Sequence, residues 1–265
     1  MQRIQPHTRA QRALPLIALL AVVCCRPFAL HAQQAASADG SAPATQANSS
    51  HSDYQVTAED IGDSMLIHRR YQEAIDQYKK APADSNVWDK MGIAFQMLFD
   101  LKDAARCYQE SLRLKPGNEL ALNNMGTVFD QQGDYGKAES LYRKALQIDP
   151  KSPRIAMNLG TNLMFQDKFD QGSAMYKLAL SLDKDAFEEF RGPVTESGTP
   201  LQQRGAMNYY KAMHCAEAGM TDRAVDYLRH AVSEGFISAG RLAHDNSFVA
   251  LRGNSRFERL IAEEK

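Results

Sequence analysis

Three glycines divide the middle of this chain into equal lengths. Gly92, Gly126 and Gly160 each stand 34 residues apart. The text around them repeats as "WDKMGIAF", "LNNMGTVF" and "MNLGTNL". Twelve residues past each glycine comes a small residue (Ala104, Ala138, Gly172), and four further on an aromatic one (Tyr108, Tyr142, Tyr176). Pro116 and Pro150 close the first two units, and Lys184 takes that place in the third. A strict period of this length cannot come from one globular core. It demands a structural unit used again and again, each copy burying its apolar face on the next.

The spacing inside a unit predicts antiparallel helices. Gly92 and Ala104 are expected where the helices cross, with Trp88, Phe95 and Tyr108 filling the space beside them. Proline ends a unit because it lacks the N–H that would continue the second helix. This pattern resembles the tetratricopeptide repeat family. The resemblance implies an all-α, right-handed superhelical solenoid of antiparallel helix pairs. About three clean repeats (85–118, 119–152, 153–186) are expected inside an array of 55–186. A degenerate unit at 55–84 keeps Gly62, Tyr71, Ala74 and Tyr78 in register. After an insertion loop at 187–204 with one short helical turn, residues 205–265 read as a repeat-like pair and a C-terminal cap. Ala212, Ala224, Leu228 and Ala231 carry that pair. Ser247–Leu251 and Phe257–Ile261 read as two short helices covering the last apolar face.

The N-terminal 32 residues read as an export signal. Arg3, Arg9 and Arg12 precede an apolar run from Ala13 to Cys25, short for a bilayer span of roughly 20 residues. Cleavage is expected near Ala32, giving a periplasmic or secreted protein. An uncleaved membrane anchor is the alternative; a lipid on Cys24 or Cys25 fits less well, because Val23 and Cys24 are not the small residues such a signal wants. Residues 33–54, mostly Ala, Gln, Ser, Asn and Thr, read as a disordered linker. Without the four arginines of the leader, 27 basic residues face 32 acidic ones. That balance offers no electrostatic footing for nucleic acid. The mature chain is expected to have no transmembrane helix. It keeps Cys107 and Cys215, in different repeats and too far apart to bridge.

The resemblance also implies a function. A stack of such pairs leaves a concave groove lined by the first helix of each, where members of the family hold an extended peptide or a partner helix. The candidate groove residues are Asn86, Lys90, Asn123, Asn124, Thr127, Asn158 and Thr161, with Asp89, Ile93 and Met157 beside them. Asn124 and Asn158 stand two places before their glycines, as does Lys90. A row of amides can hold a peptide backbone whatever its side chains; the other use of such a row is to join neighbouring helices. Members that grip a chaperone's C-terminal carboxylate place Lys and Asn where this chain has Asp89 and Ile93, which argues against that partner. Catalysis is not expected, nor a metal or cofactor: no His-Glu-x-x-His, phosphate loop, Cys-x-x-Cys or nucleophile elbow is present. His68, His214, His230 and His244 are scattered, and Asp226 and His230 read as a surface pair. The expected function is a non-catalytic protein-interaction scaffold, in envelope, secretion or pilus assembly. An accessory subunit of an exported enzyme complex is the alternative, and homo-oligomer formation stays open.

Overall fold

The computed structural model describes residues 55–189 and 201–262. The leader and linker, and 190–200 of the insertion, lie outside them. Thirteen α-helices and one 3-10 segment follow one another, with no strand among the described residues. The first eight form four antiparallel pairs: α1 (Ala58–Ile67) with α2 (Tyr71–Tyr78), α3 (Ser85–Met97) with α4 (Leu101–Leu114), α5 (Glu119–Gln131) with α6 (Tyr135–Ile148), and α7 (Pro153–Phe165) with α8 (Phe169–Leu182). Each first helix also packs on the first helix of the next pair, so the pairs stack as a solenoid.

Local chemistry sets these boundaries. Asp84, Asn118 and Ser152 cap the first helices by accepting hydrogen bonds from their first-turn backbone N–H groups. Asp100 and Asp134 do the same for α4 and α6. Between the helices of a pair the chain turns through a left-handed residue. Gly133 takes that place with φ of 77°, the conformation glycine adopts most cheaply. Arg69, Phe99 and Asp167 hold the same place in their own repeats.

The repeated glycines do a different job from the one expected. A Cβ on Gly92 would meet Tyr108 Cε1 at 2.5 Å, and on Gly126 it would meet Tyr142 Cε1 at 2.6 Å. Gly62 faces Tyr78 and Gly160 faces Tyr176 in the same way. The glycine is thus chiefly a socket for the tyrosine ring of the second helix. Close approach of two backbones occurs in the third clean repeat, where a Cβ on Gly172 would meet Gly160 O at 2.9 Å. Each buried tyrosine hydroxyl is satisfied from the first helix of its own pair: Tyr78 donates to Asp63, Tyr108 to Gln96 and Tyr142 to Asp130, while Tyr176 bonds Thr161.

The C-terminal third departs from the predicted boundaries. A single turn, α9 (Ala186–Glu189), opens the insertion, and Phe187 buries its ring against Tyr176 and Tyr227. The next helix, α10 (Leu201–Glu217), starts four residues earlier than expected and pairs with α11 (Thr221–Ser233). The cap is three pieces rather than two: α12 (Ala239–Leu242), the 3-10 segment Asn246–Leu251 and α13 (Ser255–Ala262). Phe248, Leu251, Phe257 and Leu260 bury on this last pair, as the apolar spacing predicts. Asp226 pairs with Arg256 of α13 at 2.5 Å rather than with His230, because the cap brings a guanidinium over α11.

Candidate functional site

The first helices present one register of side chains to the same side. Positions four and seven apart share a helix face. In α3 these are Asn86, Lys90 and Ile93; in α5, Leu120, Asn124 and Thr127; in α7, Arg154, Asn158 and Thr161. Asn86, Leu120 and Arg154 are exposed, and Leu120 leaves 47% of its surface open. Leu120 and Arg154 are not among the residues expected from the sequence, although the period itself marks them, 34 and 68 residues after Asn86.

Deeper in the same face the predicted residues bond one another. The residue two before each glycine donates to the residue three before the previous glycine. Lys90 Nζ reaches Glu59 Oε1 at 2.7 Å and Asp63 Oδ2 at 2.6 Å. Asn124 Nδ2 donates to both carboxylate oxygens of Asp89, at 3.3 and 3.4 Å. Asn158 Nδ2 donates to Asn123 Oδ1 at 2.9 Å. The three rungs run from ion pair to amide–carboxylate to amide–amide. They tie α1 to α3, α3 to α5, and α5 to α7. Thr127 accepts from Gln96 at 2.8 Å and donates to Asn124 O, and Thr161 meets the Tyr176 hydroxyl at 3.1 Å. Asn123, Thr127 and Asn158 are buried. Asn124 and Asn158 therefore each donate to the helix before their own, the use of such a row that joins neighbouring helices.

Burial shapes the charges here. It pushes the Asp89 carboxyl up to about 6; the Asn124 bond opposes the rise and Glu119 adds to it. Asp130, which accepts from Asn162 at 2.6 Å and from Tyr142 at 2.8 Å, is pushed up to about 6 by burial against those two bonds. For Lys90, burial works against the charged form, but its bonds to Asp63 and Glu59 outweigh it and hold the ammonium above its usual range.

One cluster escaped the sequence reading. His214 of α10 is buried, with Nε2 at 2.9 Å from Ser173 Oγ and Nδ1 at 3.2 Å from Glu217 Oε2, which Lys177 also reaches at 3.0 Å. The order resembles a serine nucleophile with its base, but Ser173 is 7% exposed and its hydroxyl is engaged with His214 in the packing of α8 on α10. It is a polar joint between α8 and α10. Cys107 and Cys215 are both free and buried, and burial pushes each thiol up to about 12. Among the described residues there is no cluster of three or more metal-ligating side chains, and no helix long and apolar enough to cross a membrane.

Comparison with known proteins agrees with this geometry. The tetratricopeptide repeat family matches residues 120–152, the second clean unit. Among solved structures, PilF of Pseudomonas aeruginosa superposes with a TM-score of 0.50 at 18% identity, over 78% of this chain and 96% of that one. MamA from Desulfovibrio magneticus RS-1 gives a TM-score of 0.47 at 16% identity, over 67% of this chain and 92% of that one. No curated protein sequence matches the chain.

Proposed function

We propose that this chain, a tetratricopeptide-repeat protein, is a non-catalytic scaffold that holds a partner protein or peptide along the shared face of α3, α5 and α7. One observation carries the reading: three first helices in strict register leave Asn86, Leu120 and Arg154 exposed in a row above a floor of mutually bonded polar side chains. Such a floor is held by bonds between neighbouring helices, so a ligand meets a preorganised surface and orders little on binding. The exposed row offers an amide, an apolar contact and a cation, which suits an extended peptide of mixed character. The apolar run and arginines of the N-terminus support an exported setting, in envelope, secretion or pilus assembly.

The test uses residues 33–265 and a double variant, Asn86→Arg with Leu120→Lys, both positions being exposed. Envelope and secreted fractions are passed over each, and over Lys144→Glu, an exposed change on α6. A partner retained by the parent and Lys144→Glu but lost by the double variant, with circular dichroism unchanged, supports the reading. Equal retention by all three proteins overturns it.

A further inference from the structure

The rungs between α3, α5 and α7 are not separate. Asn158 Nδ2 donates to Asn123 Oδ1 at 2.9 Å; Asn123 Nδ2 donates to Asn124 Oδ1 at 3.3 Å; Asn124 Nδ2 donates to the Asp89 carboxylate at 3.3 Å. This is one continuous chain of three amides across three repeats, ending on a carboxylate that is 6% exposed. Its direction is dictated from that end. An ionised carboxylate only accepts, so Asn124 must offer its NH2 to Asp89, and its carbonyl oxygen is then left to accept from Asn123. The same logic passes to Asn158.

We propose that Asp89 is a proton-operated switch for this amide chain, and that its protonation reverses the donor direction at Asn124, Asn123 and Asn158. A protonated Asp89 becomes a donor. Its hydroxyl needs an acceptor, and Asn124 is the side chain bonded to both carboxylate oxygens, so the amide turns over to present its carbonyl oxygen there. Asn124 then offers NH2 to Asn123, and Asn123 offers NH2 to Asn158. The end of the chain changes with it. At Asn158, in the third clean repeat, the group not used by the chain switches from a carbonyl to an NH2.

The surroundings of Asp89 favour such a switch. From α5 it faces Asn124 and the like charge of Glu119. From α4 comes the buried Tyr108, whose hydroxyl is committed to Gln96. On α1, Glu59 and Asp63 hold Lys90, the neighbour of Asp89 in sequence, and on α2 the Tyr78 hydroxyl goes to Asp63. No described ion pair links Asp89 to a cation, so its ionised form is held by the Asn124 NH2 alone among the bonds to its side chain. Burial raises its pKa to about 6, within reach of ordinary pH changes. The equivalent position in the next repeat is Asn123, which does not titrate; the switch belongs to one seam.

The test follows the side-chain amide signals of Asn123, Asn124 and Asn158 by nitrogen-15 correlation NMR on the full chain, from pH 7.5 to 5. All three are expected to shift with one shared midpoint near 6, and to stop shifting in Asp89→Asn, which keeps the size but cannot titrate. In Asn123→Ala the chain is cut: Asn124 should still titrate and Asn158 should not. Asp130→Asn removes the other buried carboxylate and should leave all three titrations in place. Flat signals in the parent, titration that persists in Asp89→Asn, or an Asn158 that still titrates in Asn123→Ala would each overturn the proposal.

Discussion

At the scale of single residues, the repeat is a glycine socket and a tyrosine ring sixteen residues later. The ring is fully buried in each copy, and its hydroxyl is satisfied, so a methyl group in the socket has nowhere to go. Gly126→Ala is expected to lower the free energy of unfolding by about 2 kcal/mol, in the range of overpacked cores. Gly136 is the contrast: exposed, in the first turn of α6, with nothing within 4 Å of its Cβ direction. Gly136→Ala should raise stability by about 0.5–1 kcal/mol through helix propensity alone. Urea midpoints of the two variants separate the socket from the propensity, since both replacements are chemically the same. Phe99 is the opposite anomaly. It holds a left-handed φ of 60° and leaves 75% of its surface in water. A bulky residue there costs roughly 1–2 kcal/mol, and its exposure returns little. Phe99→Gly is therefore expected to raise the melting temperature, and a fall would show that the ring makes a contact in solution.

At the scale of elements, the seams between repeats carry buried, bonded polar side chains beside their apolar clusters. Asp130 accepts from Asn162 and Tyr142 and is 8% exposed, so its ionised form is buried without a cation. Its folded pKa of about 6 lies above the ordinary 3.8, so the folded state holds a proton that the unfolded chain has released. That stabilisation is present near pH 4 and is lost as pH rises through 6. A tenfold change in proton affinity is worth about 1.4 kcal/mol, so the rise amounts to on the order of 3 kcal/mol. Glu139 runs the other way. Burial would raise it, but bonds from Lys168, Arg143 and Gln166 pull it down to about 2, and its stabilisation fades as pH falls below about 4. The parent is expected to be more stable at pH 5 than at pH 7.5, and Asp130→Asn to lose part of that gain. Chemical denaturation at the two values measures it; an unchanged difference in the variant would show that Asp130 does not titrate in that window.

At the scale of the whole molecule, what the sequence made legible was whatever repeats. Gly92, Gly126 and Gly160 announce the period, and Phe248 with Phe257 the cap. The insertion was less legible: Phe187 anchors α9 through aromatic contacts with Tyr176 and Tyr227 that no local spacing announces. The same holds for the amide row, whose residues were found while their use was left open, because partners 35 residues away are set by stacking. Ser173 meets the His214–Glu217 pair of α10 only through the packing of α8 on α10. Contacts made mostly between neighbouring repeats have a further consequence. Stability in a solenoid is a sum of unit and interface terms, so damage stays near its origin. The apolar interior is divided accordingly: one large cluster runs from α7 and α8 into the cap, while smaller ones serve the earlier pairs. Leu260 is buried in the large cluster, and Leu260→Ala should cost about 2–4 kcal/mol there. Hydrogen exchange should then show faster opening of α10, α11 and α13, with α3 and α5 protected as in the parent. Equal acceleration along the chain would mean that the polar seams couple all the repeats into one cooperative unit, a stronger linkage than nearest-neighbour packing supplies.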